Sequence, residues 1–165
     1  NGTMEACSMV YAKLDELNIP YDVVEHPAVY TTDEADVYIE GREGVRTKSL
    51  FLTNKKKTAF YLLVMDEAKR LDMDAFKALA GESRMRFAPE ESMLEKLGLT
   101  PGSVSLFGLL NDAQHEVKVY LDKEMLSEKV ITFHPNDNTK TLFLSMEDML
   151  AFLKAMGYEA NIVEL

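Results

Sequence analysis

The run Phe60-Tyr61-Leu62-Leu63-Val64 is apolar at every position. Successive side chains of a strand point to opposite faces, so this run has no face to offer to water and belongs in the middle of a sheet covered on both sides. It lies within Ala59–Met65, a β-rich segment separated from a second one, Lys48–Thr53, by the polar turn Asn54-Lys55-Lys56-Lys57-Thr58. The pair reads as a hairpin whose second strand is buried.

The rest of the chain supplies the covering layers. Cys7, Val10, Leu14 and Leu17 recur at three- and four-residue steps, predicting an amphipathic first helix that Pro20 ends before a strand near Tyr21–Glu25. Thr31 and Glu34 have capping-box spacing, so a second helix is expected to run toward Gly41. Two short helices follow, Asp74–Ala80 stopped by Gly81 and Pro89–Leu97 stopped by Gly98, with Arg84–Phe87 as a strand between them. Val117, Val119 and Leu121 alternate with polar neighbours, the mark of a half-buried strand. Strands near Val130–Phe133 and Thr141–Leu144 bracket a polar loop, Ser145 with Asp148 opens a last helix ending at Gly157, and a terminal strand lies near Ile162. Helices and strands interleave irregularly, with no repeat and no Pro/Gly/Ser-rich linker. The expectation is one α+β domain over residues 1–165, with a central mixed, largely antiparallel sheet flanked by helices.

Charge narrows the partners. The net charge of −10 opposes a broad grip on a polyanion, so a general nucleic-acid coat protein is not expected. The window Arg42–Lys57 is nonetheless +5, holding Arg42, Arg46, Lys48, Lys55, Lys56 and Lys57 against Glu43. It reads either as a solvated turn or as a small docking point for an anion. No run approaches the roughly 20 apolar residues of a membrane span, and Asn1–Glu5 lacks the basic and apolar parts of a signal peptide. A cytoplasmic protein with no membrane partner is expected.

Several chemistries find no support in the spacing. His26, His115 and His134 show no i, i+4 pair, the single Cys7 sits on the apolar face of the first helix, and neither HExxH nor CxxC occurs, so no metal site and no cofactor is expected. There is no Gly-x-Ser-x-Gly elbow and no phosphate-binding Gly-x-x-x-x-Gly-Lys loop. Three local constellations remain. Lys48 shares strand parity with Leu50 and Leu52, and either meets an anionic partner on the core side or snorkels to water. The segment Thr100–Gly108 carries glycines that let backbone approach a ligand, or is simply a turn. His134 stands at a strand end before a polar loop, where a structural role is the commoner one.

Taken in order, His26-Pro27-Ala28-Val29-Tyr30-Thr31, Thr47-Lys48-Ser49-Leu50-Phe51-Leu52, Leu97 to Val104, Gly108 to Asp112, and His134-Pro135 with Asn138-Thr139 resemble the bacterial prolyl-tRNA editing domain family, the YbaK/ProX type of aminoacyl-tRNA deacylase. The likeness runs over essentially the whole chain and is nearest to the freestanding ProX branch, associated with removing alanine from mischarged tRNA for proline. It implies metal-independent hydrolysis of an aminoacyl ester, with the acceptor end of a tRNA as partner and a monomer or weak homodimer as the working form. It also implies catalytic roles for Lys48, Gly102 and His134, and substrate contacts from Tyr30, Thr31, Ser49, Ser103, Val104, Ser105 and Asn138. Two positions depart from the family pattern: Leu106 stands where Pro is usual, and Ser49 follows the lysine where Asn is common. A Leu in place of Pro leaves the glycine loop freer, so Leu106→Pro is expected to stabilise it.

An aminoacyl ester is already activated, so its hydrolysis needs positioning and charge stabilisation more than a strong nucleophile. The expected division of labour has Lys48 on a phosphate or the terminal ribose, amides near Gly102 on the ester carbonyl, and water attacking. A non-catalytic module that senses aminoacyl-tRNA or an amino acid is the alternative, and a generic small-molecule esterase a third reading.

Overall fold

The computed structural model describes residues 2–165, less the side chains of residues 2–5 and 32; Asn1, the first residue of the N-terminal segment discussed above, lies outside it. The elements in chain order are α1 (Gly2–Glu16), β1 (Asp22–Glu25), α2 (Thr32–Asp36), β2 (Thr47–Asn54), β3 (Phe60–Asp66), α3 (Met73–Ala80), β4 (Met85–Phe87), α4 (Glu90–Leu97), β5 (Val117–Asp122), β6 (Val130–Phe133), β7 (Lys140–Ser145), α5 (Met146–Ala155) and β8 (Ala160–Val163). Among the described residues no helix is long and apolar enough to cross a membrane.

The all-apolar run Phe60–Val64 lies in β3, in the middle of a five-stranded sheet ordered β4-β2-β3-β5-β8. Its alternation feeds two cores. Phe60, Leu62 and Val64 join the larger core with α1, α4 and α5 residues such as Leu14, Leu97 and Phe152. Tyr61, Leu63 and Met65 face the other way and pack with Leu52 and with Phe76 of α3. Burying a side chain of this size contributes about 1.5–3 kcal/mol, so a polar residue on either face of β3 would unseat one of the two layers.

Pairing is antiparallel for β2 with β3 and β4, and parallel for β3–β5 and β5–β8. The strand alternation foresaw each of these strands but not their division. A second, three-stranded antiparallel sheet, β1-β7-β6, stands apart from the first and touches it through a parallel bridge from Val45 to Ile131. A strand's own sequence records which of its faces are buried and says nothing about its partner, so one central sheet was the simplest expectation. The structure is α+β with two.

Helix stops fall where glycine was expected to place them, Gly81 and Gly98 closing α3 and α4 in the left-handed region at φ of 74° and 67°. The second helix is shorter than predicted. Thr31 caps it, its hydroxyl accepting from the Glu34 amide at 3.2 Å, yet α2 ends at Asp36. Val37-Tyr38-Ile39 are weak helix formers, and Tyr38, Ile39 and Arg42 bond back three residues instead of four. Arg46 then donates to the Ile39 carbonyl at 2.9 Å and its Nε lies 3.3 Å from Asp36. The chain therefore leaves the helix early and is tied down by a side chain ten residues on from Asp36.

Two 3₁₀ helices were not predicted, Leu106–Asn111 and Lys123–Ser127. The first corrects the expectation of a loose glycine loop around Leu106. Leu106 is fully buried in the larger core and is the first residue of a turn that Ser105 caps, its hydroxyl accepting from Phe107 at 3.1 Å. A first helical position suits Pro, and the extended Ser105 (ψ 169°) is compatible with a following Pro. Pro is however one carbon smaller than Leu. A gain of about 0.4–1 kcal/mol from the stiffer unfolded chain is offset by about 1 kcal/mol of lost packing. Leu106→Pro should thus unfold at nearly the wild-type denaturant midpoint, and a loss several times larger would show that the Leu106 amide is bonded.

Candidate functional site

β4 pairs with β2 only from Leu52 to Asn54, opposite Phe87 to Met85. Along its first half β2 therefore has β3 on one side and no strand on the other, and a cleft of about 310 Å³ opens there. Thr47 to Phe51 form its floor. Phe87, Ala88 and Met93 stand on one side, Pro101, Gly102 and Val104 on another, and Phe133, His134, Tyr30 and Thr31 complete it.

The polar loop after β6 holds these walls together. Asn138 donates its side-chain amide to the Val29 carbonyl at 2.9 Å and accepts the Val29 amide on its own carbonyl at 3.1 Å, which fixes the segment before Tyr30. Asn136, buried and at φ of 59°, accepts from the Ser105 hydroxyl at 2.8 Å and donates to the Phe107 carbonyl at 3.2 Å. Asp137 stabilises the loop from inside. Its burial would raise its carboxyl pKa, but the Thr139 hydroxyl and amide and the Lys140 ammonium hold it below the usual range. Both halves of the cleft are thereby pinned to one loop.

Of the residues implied by resemblance, the structure brings Tyr30, Thr31, Lys48, Ser49, Gly102, Val104 and His134 to the cleft. Ser103, Ser105 and Asn138 are not among its lining residues. Ser105 is buried with its hydroxyl committed to Asn136 and Phe107, so it holds the loop and is not free to touch a ligand. Asn138 has the same supporting character. Thr31 lines the cleft while its hydroxyl serves the α2 cap, bonding Glu34 at 3.1 Å.

Lys48 shares the face of Leu50 and Leu52, as parity required, and its ammonium donates to the backbone carbonyl of Lys69. Its partner within the fold is thus a neutral backbone oxygen, neither of the two alternatives its parity left open. Gly102 is at φ of 92°, and a Cβ there would come within 3.2 Å of the Tyr30 ring. His134 donates from Nδ1 to the Lys140 carbonyl at 2.8 Å, which leaves Nε2 as an acceptor. Burial lowers its pKa, outweighing that carbonyl's opposite influence, so the neutral ring is favoured.

The three histidines do not converge. The rings of His26 and His134 are 6.2 Å apart, while His115 stacks on Tyr158. Among the described residues, Asp33, Asp36 and Glu67 bring carboxylate oxygens within 4.8 Å of one another, with Arg46 already beside Asp36. The basic window also divides. Arg42, itself exposed, reaches Asp22 at 3.3 Å and lies over the Phe143 ring, Arg46 turns inward, and Lys55, Lys56 and Lys57 stand exposed on the hairpin turn.

A small cleft beside the unpaired half of β2, lined by apolar groups together with one lysine, a left-handed glycine and a neutral imidazole, is the site of this α+β domain. The chain belongs to the aminoacyl-tRNA editing domain family, whose model matches residues 26–152. It is 39% identical over 163 residues to the prolyl-tRNA editing protein ProX of Acetoanaerobium sticklandii, covering 98% of this chain and 99% of that one. It is 38% identical over 156 residues to the mouse prolyl-tRNA synthetase associated domain-containing protein 1, covering 92% and 91%. A solved structure of a candidate trans-editing enzyme for prolyl-tRNA synthetase superposes with a TM-score of 0.75 over 97% of both chains at 22% identity, which speaks for the fold.

Proposed function

We propose that the chain is a freestanding trans-editing deacylase that hydrolyses the ester of mischarged tRNA for proline, with alanine as the amino acid removed. The observation that carries this reading is the convergence of Lys48, Gly102 and His134, distant in sequence, on one cleft in a member of the editing family. Lys48 keeps two N–H groups beyond the one given to Lys69, and these hold a phosphate or the ribose of the terminal adenosine. Backbone amides about Gly102 receive the ester carbonyl as charge builds on its oxygen. Water attacks, assisted by the substrate's own ribose hydroxyl, and His134 orients the substrate by accepting at Nε2 from its amino group or a ribose hydroxyl. The working protein is a cytoplasmic monomer or weak homodimer formed by the single domain.

Selectivity follows from size. A cleft of about 310 Å³ sits at the lower end of ligand pockets, which span roughly 300–1,000 Å³. It takes an aminoacyl group and a sugar, with Phe87 and Met93 closing on the side chain. Excluding a larger competitor is what an apolar wall does well, so alanine enters and the proline ring does not.

The test is to incubate the purified protein with alanyl-, cysteinyl- and prolyl-tRNA for proline and follow release of the amino acid. Rapid loss of alanine with prolyl-tRNA spared is expected. Binding of the charged tRNA without release of any amino acid would leave a sensing module as the better description.

A further inference from the structure

Lys69 uses its backbone and its side chain in two different places. Its carbonyl accepts from the Lys48 ammonium at the wall of the cleft. Its own ammonium lies 2.8 Å from Asp122, 2.8 Å from Glu124, and donates at 2.7 Å to the backbone oxygen of Leu165. Three oxygens thus surround the ammonium, the Leu165 oxygen as a hydrogen bond and the two carboxylates as ion pairs. Asp122 is 1% exposed. Its carboxylate beside the ammonium, seconded by that of Glu124, raises the lysine's pKa.

The turn between these ends is stiff. Lys48 pairs across the sheet with Met65, so the chain leaving β3 begins its turn beside Lys48. The Glu67 amide bonds the Arg46 carbonyl at 2.9 Å, the Ala68 amide bonds the Asp66 carboxylate at 2.9 Å, and the Lys69 amide bonds the Asp66 carbonyl at 3.1 Å. With the far side of Lys69 clamped, its carbonyl has one position. A lysine side chain has four rotatable bonds, and a fixed acceptor at its tip selects one arrangement among many before substrate arrives.

We propose that the Lys69–Asp122 ion pair is a positioning device for Lys48, holding the turn so that the Lys69 carbonyl sets the place of the Lys48 ammonium in the cleft. The inference rests on the reading of Lys48 as the cation that holds substrate. Neither Lys69 nor Asp122 lines the cleft; both lie on a separate surface hollow with Glu124 and Leu165. Any effect they have on turnover must therefore pass through the turn. Stability alone is a poor reason for a buried ion pair, which apolar residues commonly replace without loss.

The experiment compares Lys69→Met/Asp122→Asn, which removes both charges and strands neither, with Lys69→Arg and with Lys48→Ala. Deacylation of alanyl-tRNA for proline gives kcat and KM, melting gives the folded fraction, and NMR of isotope-labelled lysine reports the Lys48 ammonium directly. The double variant is expected to stay folded, while kcat falls about 10- to 100-fold, the scale of a misplacement near 1 Å. Its Lys48 ammonium signal should lose its protection from solvent exchange, and Lys69→Arg should restore most of the turnover. Wild-type kcat in the double variant beside an inactive Lys48→Ala overturns the positioning role and leaves the Lys48 reading intact. A kcat that falls only in step with the folded fraction overturns it too. If Lys48→Ala remains active the Lys48 reading itself fails, and an unchanged ammonium signal in the double variant then rejects the device on its own.

Discussion

Lys48→Ala is expected to lower deacylation by about 100-fold, the scale of a substrate held near 1 Å out of place, while the protein melts almost as the wild type does. The two effects separate because of where the residue stands. Its backbone stays paired with Met65, and its side chain gives the fold a single hydrogen bond, to the Lys69 carbonyl. A bond from a charged donor is worth about 1.5–3 kcal/mol, and this one is only part-buried, which keeps the loss toward the lower end. Single-turnover kinetics together with a thermal melt decide the matter, and near-normal turnover in a folded variant would refute the assignment of Lys48. Lys48→Arg should recover little, since a planar guanidinium cannot present its donors as an ammonium does.

Gly102→Ala should show a different pattern, losing about 1–2 kcal/mol of stability and at least tenfold in turnover. At φ of 92° any L side chain is strained, and the new Cβ would also press on Tyr30 at 3.2 Å. Tyr30 is 72% exposed and can swing away. Relief by the backbone instead would rotate the amides that face the ester. The control is Gly81→Ala, at φ of 74° with nothing within 4 Å of the added Cβ and a helix end remote from the cleft. It should lose comparable stability and no turnover. Equal losses of activity in both variants would mean that Gly102 serves folding only.

What the sequence could tell is bounded by how local each feature is. The two-faced run of β3, the glycine stops at Gly81 and Gly98 and the Thr31 cap all depend on neighbours a few residues away, and all were legible. The division into two sheets was not, because strand partners such as Asp22 and Phe143 meet only in space. The site divides in the same manner. Parity put Lys48 on the right face of β2, but its acceptor belongs to a turn after the next strand. Ser105 and Asn138 were expected to touch substrate and instead brace the loops behind it, a distinction that rests on contacts with Asn136 and Val29. Asn136 was never singled out, since its value comes from a positive φ that the sequence does not announce. Of the six-cation window, Lys55, Lys56 and Lys57 stand on a solvated turn, one of its two readings, while Arg42 and Arg46 pair with Asp22 and Asp36, partners outside the window.

The small sheet has a consequence for how the protein is made. Its middle strand, β7, is the last of the three to be synthesised, and β1 and β6 pair with it and not with each other. Until residue 145 has left the ribosome, β1 is an orphan, and the Tyr30 segment that follows it has no loop to be tied to. Contacts this distant in sequence form slowly. A nascent chain therefore carries its lysine and its glycine loop without the Tyr30 wall of the cleft until β7 has emerged.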